Sequence, residues 1–166
     1  MSEKVDNLEK KEKIFGGILA SFLLALLGGV FWIALYWYDI FAPVSGIVIG
    51  VLAVIGYRLV TKKENAKSIV LALVASLIAI CICCYISLSI DVYFAYNDLY
   101  EAGEWAQPVS FGQAFLHSYQ FFSDPGIVMT FIRETGLGMA CALLGVFAFI
   151  VDAIKNRNKQ KKNSAE

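Results

Sequence analysis

Charged residues are scarce in this sequence, and they are missing from several long stretches of it. Asp, Glu, Lys and Arg make up 17% of the 166 residues, whereas hydrophobic residues make up 58%, and the mean hydropathy is +0.65. Water-soluble domains usually contain about 25% charged and about 45–50% apolar residues. This shortage of charge excludes an ordinary soluble domain and indicates a protein that resides in a lipid bilayer.

Residues that commonly carry chemistry are also few. The sequence contains one His and four Cys, and it has no C-x-x-C, no H-E-x-x-H, no Gly-rich phosphate-binding loop and no nucleophile elbow. Ionisable residues are absent from the centres of its apolar runs, where proton relays and ion pathways usually carry them. Only Asp152 lies inside such a run, near its end. These absences predict a protein that is not an enzyme and that uses no metal or cofactor.

Four apolar segments are long enough to cross a bilayer, which takes about 20 residues of helix. The sequence therefore predicts one all-α domain, residues 14–154, built as a polytopic four-transmembrane-helix bundle. The predicted spans are residues 14–38, 44–60, 68–90 and 135–154. Residues 1–13 and 155–166 are polar tails, and residues 91–134 form the one long loop.

The distribution of Lys and Arg predicts the orientation. Thirteen of the fourteen lie in residues 1–13, 58–67 and 155–166, and Arg133 alone lies in the long loop. Because basic residues accumulate on the cytoplasmic side, we expect a multi-pass protein of the cell (plasma) membrane with both termini in the cytoplasm. The basic cytoplasmic face suits anionic lipid headgroups better than nucleic acid.

Two helix starts are recognisable in the long outer loop. Ser110 is followed by Gln113 in the spacing of a capping box. Asp124 precedes Pro125, which is the order of a helix N-cap and first helical residue. The sequence predicts a helical extracytoplasmic cap between the third and fourth spans, which either covers the ends of the spans or lies on the membrane surface.

Small residues recur at helical spacing in the spans. In lipid, helices associate through close backbone approach, so stripes of small residues mark contact faces. We interpret these stripes as packing within the chain, with a dimer interface as the alternative. The predicted helix-packing residues are Gly17, Ser21, Gly28, Gly46, Gly50, Gly138, Ala142 and Gly145.

The cysteines are weaker candidates for a site. Cys81, Cys83 and Cys84 lie in the outer half of the third span, and Cys141 lies at a similar depth in the fourth. A thiol pair or a soft-metal site is one interpretation. Packing as small apolar side chains is the other, and we favour it because no carboxylate or His is near in sequence.

The remaining candidates are polar residues of the outer loop. His117, the single imidazole, is either a pH-sensitive group or ligand, or a plain surface residue. Arg133 and Glu134 precede the fourth span, where they form an ion pair with each other or pair with Asp91. Seven acidic residues on this side either concentrate cations or basic peptides or simply mirror the basic cytoplasmic face.

Two stretches carry a resemblance to known proteins. They are the glycine-punctuated hairpin from Gly16-Gly17 through Gly28-Gly29 to Gly56-Tyr57, and the helix that begins Ser110-Phe111-Gly112-Gln113-Ala114-Phe115. Together they resemble a loose group of small four-span bacterial integral membrane proteins of uncharacterised function. Members often carry a zinc ribbon before the first span, but residues 1–13 contain no Cys. The resemblance implies a fold and a bacterial origin, and no activity.

Two classes of function remain open at this point. The first is a non-enzymatic structural or accessory protein that acts through helix–helix and outer-loop contacts with membrane lipids, other membrane proteins or a second copy of itself. The second is a subunit of a small oligomeric channel or transporter. Membrane thiol redox chemistry through the cysteines is a distant third.

Overall fold

The computed structural model describes residues 2–38, 40–62 and 66–163, and within these ranges the chain is helical and contains no strand. This confirms the all-α class. The helices are α1 (Ser2–Trp37), α2 (Gly46–Thr61), α3 (Ala66–Glu101), α4 (Phe111–His117) and α5 (Pro125–Asn163). Short 3-10 turns, Ala42–Ser45 and Ser118–Ser123, precede α2 and follow α4. Asp39, Lys63 and the side chain of Asp152 lie outside the described residues.

Four helical segments of the described chain are long and apolar enough to cross a membrane. They are Lys13–Trp37, Ala42–Thr61, Lys67–Glu101 and Pro125–Phe147. The predicted end of the third span, Ile90, falls inside α3, and the predicted start of the fourth, Thr135, falls inside α5. The helix α3 continues past Ile90 because no proline or glycine interrupts it. The helix α5 starts before Thr135 because its N-terminal cap is Asp124.

The third helix able to span a membrane, α3, is longer than the hydrocarbon core of a bilayer is thick. Its 36 residues correspond to about 54 Å at 1.5 Å per residue, against about 30 Å of hydrocarbon. It ends at Glu101, and Gly103 follows with a φ of +78°, a left-handed conformation that terminates helices. The last turns of α3 thus extend beyond what one membrane crossing requires.

The first two helices approach each other closely near both ends of α2, through one glycine of each helix. A Cβ placed on Gly28 would lie 2.9 Å from the Cα of Ile49, and one on Gly56 would lie 2.5 Å from the carbonyl oxygen of Ala20. Between these contacts the Ser21 hydroxyl donates a hydrogen bond of 2.8 Å to the carbonyl oxygen of Ala53. The backbones come this close because each contact has a glycine on one of the two helices, Gly28 on α1 and Gly56 on α2.

A second, neighbouring face of α2 packs against α5 in the same way. Gly46 faces the backbone of Gly138, and a Cβ placed on Gly50 would lie 2.6 Å from the carbonyl oxygen of Ala142. From the other side, a Cβ on Gly145 would lie 2.6 Å from the carbonyl oxygen of Ile47. As a result, α2 lies between α1 and α5.

The core where α1, α3 and α5 meet is built around Trp32. This side chain is fully buried, and Gly138 leaves room for its ring, since a Cβ there would lie 2.7 Å from the ring. Ile80 of α3 packs on the same glycine, at 3.2 Å from that Cβ position. The small residues of α3 that face inward, Ser68, Ala72, Ala75, Ala79 and Cys83, are buried as well.

Candidate functional site

Two side-chain hydrogen bonds join α1 to α3 near the C-terminal end of α1. Trp32 Nε1 donates to the Ser87 hydroxyl at 3.2 Å, and the Tyr36 hydroxyl donates to Asp91 Oδ2 at 2.5 Å. In each helix the two residues are four apart, so they share one face. The second hydrogen bond fixes one oxygen of the Asp91 carboxylate.

A second carboxylate reaches the same place from α5. Glu134 is half-buried, and the charges of Asp91 and Arg133 both act on it. We refer to Asp91 and Glu134 as the acid pair. With Arg133 as the neighbouring cation, this region carries two negative charges and one positive charge when all three groups are ionised.

The acid pair borders a cavity between α3 and α5, the α3–α5 cavity, with a volume of about 320 Å³. Its polar edge is formed by Tyr36, Asp91 and Glu134. The rest of the wall is mainly apolar and includes Leu88, Val92, Ala95, Phe121, Ile127 and Phe131. The space is thus amphipathic, with an anionic edge and a hydrocarbon and aromatic wall.

A second and larger space, the α1–α5 cavity, lies on the other side of the acid pair. Its volume is about 690 Å³, and it extends over Ile40, Phe41 and Pro43 in the connection after α1. Tyr36, Asp91, Glu134 and Arg133 line it together with Ala42 and Leu137. The acid pair therefore borders both spaces.

Residues 104–124 fold back over α3 and α5 through aromatic contacts. The Tyr85 hydroxyl donates to the carbonyl oxygen of Phe115 at 2.8 Å. The Tyr85 ring lies 5.2 Å from the ring of Phe115 and 6.4 Å from that of Phe122. Phe122 in turn meets Phe131 of α5 at 5.2 Å, edge to face. These contacts hold this segment beside the α3–α5 cavity, whose wall includes Phe121 of the segment and Phe131 of α5.

Local hydrogen bonds start both helices of this region as predicted. The Ser110 hydroxyl accepts from the Gln113 N–H, and the Gln113 side chain accepts from the Ser110 N–H, which completes the capping box. Asp124 Oδ1 accepts from the Gly126 N–H at 2.7 Å and caps α5. The loop segment before α4 is held to α3 by two hydrogen bonds between the Asn97 side chain and the backbone of Val109.

His117 lies apart from the acid pair. Its Nδ1 is 2.9 Å from the carbonyl oxygen of Gln113, one turn earlier in α4, and the side chain is exposed. It lines a third cavity of about 350 Å³ together with Tyr96, Trp105 and Gln120. Asp98, Glu101, Glu104 and Asp124 are exposed.

The cysteines are all free thiols and have different neighbours. Cys83 lies against Gly29 of α1, and Cys84 accepts a hydrogen bond of 3.5 Å from the Thr135 hydroxyl of α5. Cys141 lies against Gly46 of α2. Across the described part of the chain, no group of three or more His, Cys, Asp or Glu side chains is arranged to hold a metal ion.

Comparison with known proteins adds no relative. No protein-family model, no curated protein and no solved structure matches the chain.

Tyr36 and the cavities were not among the sequence-derived candidates. In the sequence Tyr36 belongs to an aromatic cluster at the end of a span, which is typical of residues at a membrane interface. The sequence does contain a signal for this contact. Trp32 and Tyr36 in α1 are four residues apart and can donate hydrogen bonds, and Ser87 and Asp91 in α3 have the same spacing and can accept them.

Proposed function

We propose that the chain is a multi-pass protein of the cell membrane in which α1, α2, α3 and α5 form a four-helix bundle. In this proposal both termini and the α2–α3 connection lie in the cytoplasm, which is supported by the basic residues that flank the spans. The acid pair and α4 then lie on the outer side, with α4 and the turn after it as a helical cap. The hydrogen bonds of Tyr85 and Asn97 to this region support the cap.

Its role in this proposal is that of a non-enzymatic structural or accessory protein. The observation that supports this role is that the closely packed glycines contact other helices of the same chain. Gly28, Gly46 and Gly50 each face the backbone of another helix of the same chain, so these close-packing faces are used within one copy. A pore assembled through the Gly46–Gly50 face would need that face to be free.

One surface left for partners is the apolar side of α1. Its exposed residues recur at intervals of three or four, as expected for one helix face. They are Phe15, Leu19, Leu23, Leu27, Val30 and Phe31. This face contacts membrane lipids and is available to another membrane protein or a second copy.

The experiment that tests the proposal measures mass and transport together. The full chain is purified in mild detergent, its oligomeric mass is determined, and it is reconstituted in liposomes for ion and solute flux. We expect flux equal to that of protein-free liposomes, and proteins that co-purify stoichiometrically would identify the partner. Flux that scales with the amount of an oligomeric form would establish the channel-subunit function instead.

A further inference from the structure

We propose that the α3–α5 cavity binds a small organic cation with an apolar body, and that Asp91 and Glu134 hold its positive charge. This goes beyond the accessory role proposed above and does not depend on it. It rests on the size of the cavity, the chemistry of its wall and the charges at its edge.

The cavity has the size and wall of a small-molecule site. Its volume of about 320 Å³ falls in the range of about 300–1,000 Å³ that is usual for ligand pockets, which are mostly apolar with a few placed polar groups. Leu88, Val92 and Ile127 supply hydrocarbon surface. This wall suits the apolar body of a ligand and is unsuited to a hydrated inorganic ion, which requires several oxygen ligands.

The polar edge selects for positive charge. Tyr36 donates a hydrogen bond to Oδ2 of Asp91, and the carboxylates of Asp91 and Glu134 both border the cavity. When both carboxylates are ionised, their two negative charges outnumber the single positive charge of Arg133 beside them. Asp91 is exposed, whereas Glu134 is half-buried. A charge beside an apolar wall, such as that of Glu134, is less screened than one at an open surface, so its attraction for an ammonium group is stronger.

The aromatic wall favours the same class of ligand. Tyr96, Phe121 and Phe131 line the cavity, and aromatic faces attract organic cations within about 6 Å of the ring centroid. A neutral ligand would satisfy the hydrocarbon wall and leave the carboxylates without a partner. An anion would be repelled by the acid pair.

The test uses the full chain in detergent micelles or nanodiscs and three matched probes. Benzyltrimethylammonium is the cation, neopentylbenzene is its uncharged isostere, and phenylacetate is an anion with the same ring. Binding is measured by ligand-observed NMR and by displacement. We expect saturable binding of the cation and none of the anion, with the neutral isostere bound at least about tenfold more weakly.

Substitutions then assign the site. Asp91→Asn and Glu134→Gln should each weaken binding of the cation by about tenfold. Asp98→Asn and Glu101→Gln, which change exposed carboxylates of α3 outside the cavity, should leave it unchanged. Arg133→Gln removes the competing cation and should strengthen binding by about threefold.

The Arg133 variant keeps the test decisive even if the acid-pair variants do not fold, because Arg133 is exposed. Unchanged or weaker binding of the cation to Arg133→Gln would overturn the proposal. The proposal would also be overturned if the cation and the neutral isostere bound equally and neither Asp91→Asn nor Glu134→Gln changed their binding. That result is expected of a cavity that holds a lipid acyl chain.

Discussion

Replacing Gly50 by a larger residue tests the packing of α2 against α5 directly. A Cβ at this position would lie 2.6 Å from the carbonyl oxygen of Ala142 and 3.0 Å from its Cα. Ordinary Cβ contacts begin at 3.4 Å, so the two helix backbones would have to separate by about 0.8 Å at this point. Because the carbonyl oxygen and the Cα of Ala142 are both backbone atoms, no side-chain rotation can relieve the contact.

The magnitude follows from the packing that this separation removes. A gap of about 0.5–1 Å forfeits a quarter to a half of each dispersion contact across it, and overpacking a well-filled site typically costs about 1–3 kcal/mol. Helix propensity returns up to about 1 kcal/mol when Gly becomes Ala. We therefore expect Gly50→Ala to lower the free energy of unfolding by about 1–2 kcal/mol, and Gly50→Leu to lower it further and reduce expression.

The assay is reversible unfolding in mixed micelles, followed by intrinsic tryptophan fluorescence, together with the mass of the folded form. Gly136→Ala is the matched control, because it lies in α5 with no atom within 4 Å of its Cβ position. It should be neutral or gain up to about 1 kcal/mol from helix propensity. A well-folded, monodisperse Gly50→Leu monomer beside an oligomeric wild type would refute the reasoning and assign this face to contacts between copies.

Three further outcomes are expected. Tyr36→Phe should lower the free energy of unfolding by about 1.5–3 kcal/mol, the usual contribution of a hydrogen bond to a charged group, and an unfolding curve identical to wild type would show that the bond to Asp91 contributes nothing. Accessibility labels should react from the cytoplasm at positions 5, 64 and 160 and from outside at positions 41 and 105, and a label at position 64 that reacts from outside would reverse the topology. Replacing all four cysteines by Ala should leave expression and oligomeric mass largely intact and lower the free energy of unfolding by at most a few kcal/mol. Loss of a bound metal, or of a disulfide detected in the wild type, would instead favour the redox function. The cysteines are Cys81, Cys83, Cys84 and Cys141.

The features that the sequence predicted well depend on residues close to each other in the chain. Uncharged runs such as residues 68–90 identify the spans, because a charge in hydrocarbon is costly and its absence is visible locally. The cap of α4 joins Ser110 to Gln113, and that of α5 joins Asp124 to Gly126. Such hydrogen bonds span three residues or fewer, so a short stretch of sequence contains both partners.

The ends of the long helices were harder to predict. The sequence predicted that the third span ends at Ile90, and the helix that contains it, α3, continues to Glu101. The residues after Ile90 are compatible with a helix, and hydropathy reports where a helix leaves lipid, not where it ends. Only a backbone signal such as the left-handed Gly103 marks the end.

Sequence alone determined that this is an all-helical chain with four helices able to cross a membrane, since composition and periodicity depend on each residue's own transfer free energy. Which faces meet was decided only in three dimensions. The acid pair joins residues of α3 and α5 that are far apart in the chain, and Tyr36 of α1 completes the edge. The cavity they border is lined by residues of α1, α3, α5 and the segment before α5, so no single stretch of sequence contains its wall.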